Sequence, residues 1–214
     1  MSTAPLVYLD HAATTPVRPE VRAAMEPYWT ETFGNPSSSH AAGRAARRAL
    51  EDARARLAAH LGVGRRELVF TGGGTEADNL AVLGFVRRHR NARVLHSAVE
   101  HKAVWKAAEA AAREGAEVAV VPVDAEGVVR LDALEAELRR GHGRPTLVSV
   151  MWANNETGVL QPVDRIAELC RAHGARFHTD AVQAFGKVRV RADEVGADLV
   201  ALSAHKIGGP KGIG

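Results

Sequence analysis

Short apolar runs at 67–71, 93–97, 117–121, 146–151, 175–179 and 198–203 alternate along the chain with amphipathic segments. In those segments Ala46, Leu50, Ala53, Leu57 and Leu61 share one helical face, as do Ala77, Leu80, Ala81, Gly84 and Phe85. Gly62, Gly115 and Gly174 stand where helices should end. Strand and helix alternation of this kind predicts an α/β fold, a mainly parallel sheet with helices on both faces. The 214 residues suffice for one sizeable core or slightly more. No repeat, low-complexity tract or linker divides them, and the Pro- and Ser-containing stretch 34–39 reads as a loop at the site or at a dimer interface.

Polar groups gather just past the carboxyl ends of four predicted strands, the edge where open α/β sheets bind ligands. Thr71-Gly72-Gly73-Gly74-Thr75 follows Leu68-Val69-Phe70 and opens a helix. Asn154 and Asn155 follow the run that Met151 and Trp152 close, Asp180 ends Phe177-His178-Thr179-Asp180 with Gln183 one turn on, and Ser203-Ala204-His205-Lys206 follows 197–202. A lysine placed there can attack a carbonyl if it is partly desolvated or close to a compensating group. Pyridoxal 5′-phosphate (PLP) would need such a set. The glycine turn and Thr75 suit its phosphate, Asp180 suits the ring nitrogen, Asn155 or Gln183 the phenolic oxygen, and Lys206 the imine. His101, after a further predicted strand, could stack on the ring and move protons.

The segments 8–16, 34–40, 71–79, Glu100-His101-Lys102-Ala103-Val104, Asn154-Asn155-Glu156-Thr157-Gly158, His178-Thr179-Asp180-Ala181-Val182-Gln183 and 203–214 resemble, in order, the cysteine desulfurases. These are class V members of the fold-type-I PLP enzymes. The resemblance implies that Lys206 is the Schiff-base lysine and Asp180 the pyridinium partner. It implies further that Gly74, Thr75, Ser203 and His205 hold the phosphate, that Asn155 and Gln183 bond the phenolic oxygen, and that His101 stacks and relays protons. It implies an arm at 1–15 that would join a small domain, and a PLP-binding major domain at 16–214 that is incomplete at its C-terminus. The family's catalytic cysteine lies on a mobile loop in the C-terminal half, so the chain reads as an N-terminal half lacking that loop and the small domain, whether as a fragment, a truncated gene or one part of a split enzyme. The expected reaction of the complete enzyme takes L-cysteine to L-alanine, with sulfur passed to an enzyme cysteine for iron–sulfur cluster assembly or thiolation. Expected partners are a second copy in a homodimer, a sulfur-acceptor or scaffold protein, and a separate C-terminal half.

Composition narrows the classes. A net charge of +3, with Arg44, Arg47, Arg48, Arg54 and Arg56 spread over a helix, reads as a solvated face and not a nucleic-acid surface. No signal peptide or membrane-length apolar run is present, so a cytoplasmic location is expected. The single cysteine excludes an internal disulfide and a four-cysteine metal site, and no metal is expected. Cys170 shares the stripe Val163, Ile166, Ala167, Cys170, which predicts a buried, inert thiol. Of the lysines, Lys102, Lys106, Lys187 and Lys211 are the other Schiff-base candidates, with surface roles or, for Lys211, a phosphate contact as alternatives.

Each site residue also has a structural reading: Asp180 and His101 as caps, Asn155 as a turn residue. Gly72-x-Gly74-x-x-Ala77 matches a dinucleotide fingerprint, with Glu100 at the distance of a ribose ligand. That reading leaves Lys206 and Asp180 unexplained. A zinc hydrolase lacks paired histidine spacing here. Selenocysteine lyase, another class V PLP enzyme and an inactive scaffold half remain as alternatives.

Overall fold

The computed structural model describes residues 7–214. Its elements in chain order are α1 (Pro19–Met25), α2 (Pro27–Thr30), α3 (Ala41–Leu61), α4 (Gly74–Arg88), β1 (Arg93–Ser97), α5 (Lys102–Arg113), β2 (Glu117–Val121), α6 (Leu131–Arg140), β3 (Thr146–Ser149), α7 (Val163–Ala172), β4 (Arg176–Asp180), α8 (Ala192–Val195) and β5 (Leu199–Ala201), with 3-10 turns at Arg65–Glu67 and Ala204–Lys206. The five strands are all parallel, in the order β2-β1-β3-β4-β5. No helix among the described residues is long and apolar enough to cross a membrane.

Burial on both faces explains why the strands read as unbroken apolar runs. Leu95 and Val148 join the core beneath α6 and α7, while their neighbours Val94 and Leu147 join the core beneath α4 and α5. Cys170 lies in the first core with Val163, Ile166 and Ala167. Gly62, Gly115 and Gly174 all adopt positive φ at the ends of α3, α5 and α7, where a Cβ would be strained.

Three expectations differ from the structure. Segment 67–71 is not a strand of the sheet: Arg65–Glu67 turns, and Leu68–Phe70 carries no ladder. A strand exists only through a partner, and the partner bonds here are the pair between Thr71 and Gly214, N–H to O at 2.8 and 3.0 Å. On α3 the expected stripe is buried only at Leu61, while Leu50 and Ala53 are exposed. On α4 the buried face is Asp78, Ala81, Val82 and Val86, with Leu80 at 54% exposure. The helix is rotated by about one residue from the face its apolar side chains suggest, and that rotation carries a carboxyl inward.

From β1 the chain moves outward to β2, then crosses back over β1 to β3. Beyond the carboxyl ends of β1 and β3 the connections diverge, which opens a crevice at that point of the sheet.

Candidate functional site

That crevice holds a cavity of about 830 Å³, and all nine sequence-selected residues line it. One wall is the start of α4. Gly73 precedes it at φ 148°, and the first intrahelical bond runs from Ala77 N–H to Gly73 O, so the amides of Gly74, Thr75 and Glu76 lie ahead of the ladder at the positive end of a 15-residue helix. Glu76 turns back and accepts from Gly72 N–H at 2.6 Å. Ser203, buried at the end of β5, and His205, in the following turn, face this wall. The His205 ring nitrogen Nδ1 lies 3.0 Å from Thr14 Oγ1.

Lys206 and Gln183 meet at one atom. Lys206 Nζ donates to the carbonyl of Ala12, and Gln183 Nε2 donates to the same oxygen at 2.7 Å. Thr15 in turn bonds His205 O through both its N–H, at 2.8 Å, and its hydroxyl, at 2.7 Å, so residues 12–15 strap the lysine turn. Partial burial holds the Lys206 amine below its ordinary pKa, helped by the Lys187 charge and opposed by Asp180 and Asp10. Lys187 donates to Gln183 Oε1, which sets a second amine beside the site.

Asp180, at the end of β4, is buried, which raises its pKa; the Val182 N–H at 2.9 Å and the charges of His101 and Lys206 favour its ionised form. Its capping role and its place in the cavity therefore coexist. The same holds for His101, whose Nδ1 accepts from Ala103 N–H at 3.1 Å as the N-cap of α5. A neutral ring then carries its hydrogen on Nε2. The turn after β3 is made by Asn154, whose Oδ1 accepts from the N–H groups of Glu156 and Thr157 at 2.9 Å each, leaving Asn155 on the cavity wall. Lys211 also lines the cavity, whereas Lys102 and Lys106 are exposed on α5.

The sequence reading missed a buried polar layer behind the wall. Asp78 is 1% exposed, and one of its carboxylate oxygens lies within 4.8 Å of an oxygen of Asp180 and a ring nitrogen of His101. His178 is fully buried, 2.8 Å from Ser149 Oγ through Nδ1 and 3.5 Å from Asp78 Oδ1 through Nε2. Glu100 faces inward, accepting from Ser97 Oγ and, at 2.8 Å, from Met151 N–H, so it does not reach out as a ribose ligand would. The available signal was Asp78 at i+4 from Gly74, on the turn below the phosphate-type loop.

Residues 7–214 match the family described as aminotransferase class-V. The chain belongs to that family. Among curated class-V relatives it is 44% identical to the cysteine desulfurase IscS of Dictyoglomus turgidum and 47% identical to that of Neisseria meningitidis serogroup C, each over 97% of this chain and 52% of the relative. Among solved structures it superposes on a NifS-like protein with TM-score 0.90 and 36% identity, over 97% of this chain and 57% of that one. A structure titled SspA in complex with cysteine gives 0.88 and 36%, over 96% and 59%. This class-V chain thus spans about half the length of the curated relatives it matches.

Proposed function

We propose that the chain carries the PLP site of a cysteine desulfurase, the enzyme that converts L-cysteine to L-alanine and passes the sulfur to an enzyme cysteine. The observation that supports this most is the convergence, in one cavity, of an amine, a buried carboxylate and an open helix N-terminus on Lys206, Asp180 and α4. The donor set fits the cofactor from end to end. Gly74, Thr75, Ser203 and His205 suit a phosphate; Asp180 suits a protonated ring nitrogen; Asn155 and Gln183 suit the phenolic oxygen. Bound there, PLP supplies a sink for the electrons released when the substrate Cα–H bond breaks.

The chain's own groups then have defined tasks. Lys206 Nζ would be the group that holds the cofactor through its carbonyl and would take a proton from the substrate Cα; its lowered pKa favours the neutral amine that both tasks need. His101, on the cavity wall with Nδ1 engaged by Ala103 N–H, would offer Nε2 as a second proton carrier. Asp180 would accept a hydrogen bond from the protonated ring nitrogen. The sulfur acceptor in this reading is a loop cysteine outside this chain and not Cys170, whose thiol burial pushes up to about 12.

The same reading brings with it a major domain at 16–214 with an arm at 1–15, of which residues 1–6 lie outside the described residues, together with a cytoplasmic homodimer. It also brings a sulfur-acceptor protein for iron–sulfur assembly or thiolation, and a C-terminal half supplied within a longer chain or by a second one. Borohydride reduction of cofactor-loaded protein tests the site: peptide mapping should place the pyridoxyl group on Lys206 alone. A tag on Lys102, Lys106, Lys187 or Lys211 would overturn the assignment.

A further inference from the structure

Asp78 Oδ1 and His178 Nε2 are both buried, both without a hydrogen-bond partner among the described residues, and 3.5 Å apart. Two orphaned polar atoms at that separation are satisfied together by a single proton between them. We propose that Asp78 and His178 form a one-proton pair behind Asp180, with the proton on Asp78, and that this neutral pair leaves Asp180 as the carboxylate presented to the ring site. The proposal deepens the function proposed above and rests on it only for the role of Asp180.

The tautomer follows from the charges around the pair. His178 Nδ1 faces Ser149 Oγ at 2.8 Å. If Nδ1 carries the hydrogen, Nε2 is a bare acceptor that only a protonated Asp78 can fill. The reverse tautomer would donate Nε2–H to an ionised Asp78 and place a second negative charge within 4.8 Å of Asp180. Two buried carboxylates that close do not both stay ionised. Asp180 has the Val182 N–H, His101 and Lys206 to hold its charge, whereas Asp78 faces Glu100, Asp180 and His178. Glu100 keeps one oxygen unpartnered in the same layer and offers Asp78 no counter-charge. Burial, with the charges of Asp180 and Glu100, raises the Asp78 pKa to about 9, and burial lowers that of His178 to about 4, in keeping with this arrangement.

Asp78 acts here as a positioning residue, so the test reads protons and not turnover. In cofactor-free protein labelled with 15N-histidine, the His178 ring, assigned by its loss in His178→Gln or by its contact with the Ser149 β-protons, should show one protonated nitrogen, Nδ1, and an acceptor Nε2, unchanged from about pH 5.5 to 8. Asp78→Asn, which copies the donor of the protonated acid, should keep that pattern, and Asp78→Ala should move Nε2 toward its unbonded shift. An imidazolium signal, an Nε2–H tautomer, or an Nε2 shift untouched in Asp78→Ala would overturn the pair. The wild-type spectrum alone decides the proton's position, so a misfolded variant does not block the test. Loss of PLP binding with an intact His178 signal would instead count against the proposed function alone.

Discussion

Asp180 sits where two opposing requirements meet: burial favours its neutral form, and its proposed task requires the charge. Burial is the larger effect and raises its pKa, while the Val182 N–H and the charges of His101 and Lys206 oppose that rise. In the complete enzyme Asp180→Asn should therefore lower turnover by roughly 10²–10³, about 3–4 kcal/mol of transition-state stabilisation, because the ring nitrogen loses its proton and with it the electron sink. Cofactor retention, measured by absorbance after dialysis, should fall much less, since the phosphate contacts proposed on α4 are untouched. Near-wild-type turnover would remove Asp180 from the mechanism. Asn155 shows a different economy of residues, because Asn154 alone satisfies the turn and its neighbour is left to face the cavity.

Helix α4 does two jobs through one end and one face. Its N-terminus needs Gly73 at φ 148° and ψ 174°, a region essentially closed to residues with a Cβ. A Cβ built on Gly73 meets nothing within 4 Å, so the cost of Gly73→Ala is conformational and not steric. We expect a loss of about 1–3 kcal/mol in urea unfolding, with weaker binding of PLP and of inorganic phosphate; an unchanged midpoint would show that the turn relaxes freely. The face of α4, with the loop after β1 and the end of β4, forms the buried layer of Asp78, Glu100 and His178. Burial raises Glu100 to about 8 and Asp78 to about 9, so both are protonated in the folded protein at neutral pH and ionised in the unfolded chain. The folded state then binds more protons, and stability falls as pH rises. His178, lowered to about 4, has the opposite sign but acts only below its unfolded value of about 6.5. The carboxyls thus act without it from about pH 6.5 to 8, and the urea midpoint should drop across that window, less steeply in Glu100→Gln. A level or rising midpoint would mean that these carboxyls are ionised in the folded state.

At the scale of the whole molecule, the one thiol lies in the core beneath α6 and α7, away from the cavity on the carboxyl edge of the sheet. The 214-residue chain by itself should release neither sulfide nor alanine from L-cysteine even when loaded with PLP, and a C-terminal half carrying a loop cysteine should restore turnover. Alanine release by the chain alone, abolished by Cys170→Ala, would overturn this. The sequence by itself determined the five strands of the sheet to within two residues at their ends, the helix-ending glycines, the inert place of Cys170 and nine of the residues that line the cavity. These were legible because apolar runs, glycine at positive φ and polar groups at strand ends are local signals. Only the tertiary structure decided that 68–70 lacks a ladder, that Leu50 and Leu80 stay exposed, that α4 turns Asp78 inward, and that the Ala12 carbonyl receives both Lys206 and Gln183. Each of these depends on a partner distant in sequence: a strand needs its neighbour's hydrogen bonds, a helix face is chosen by what packs on it, and a buried carboxyl is tolerated only where other polar groups share its protons.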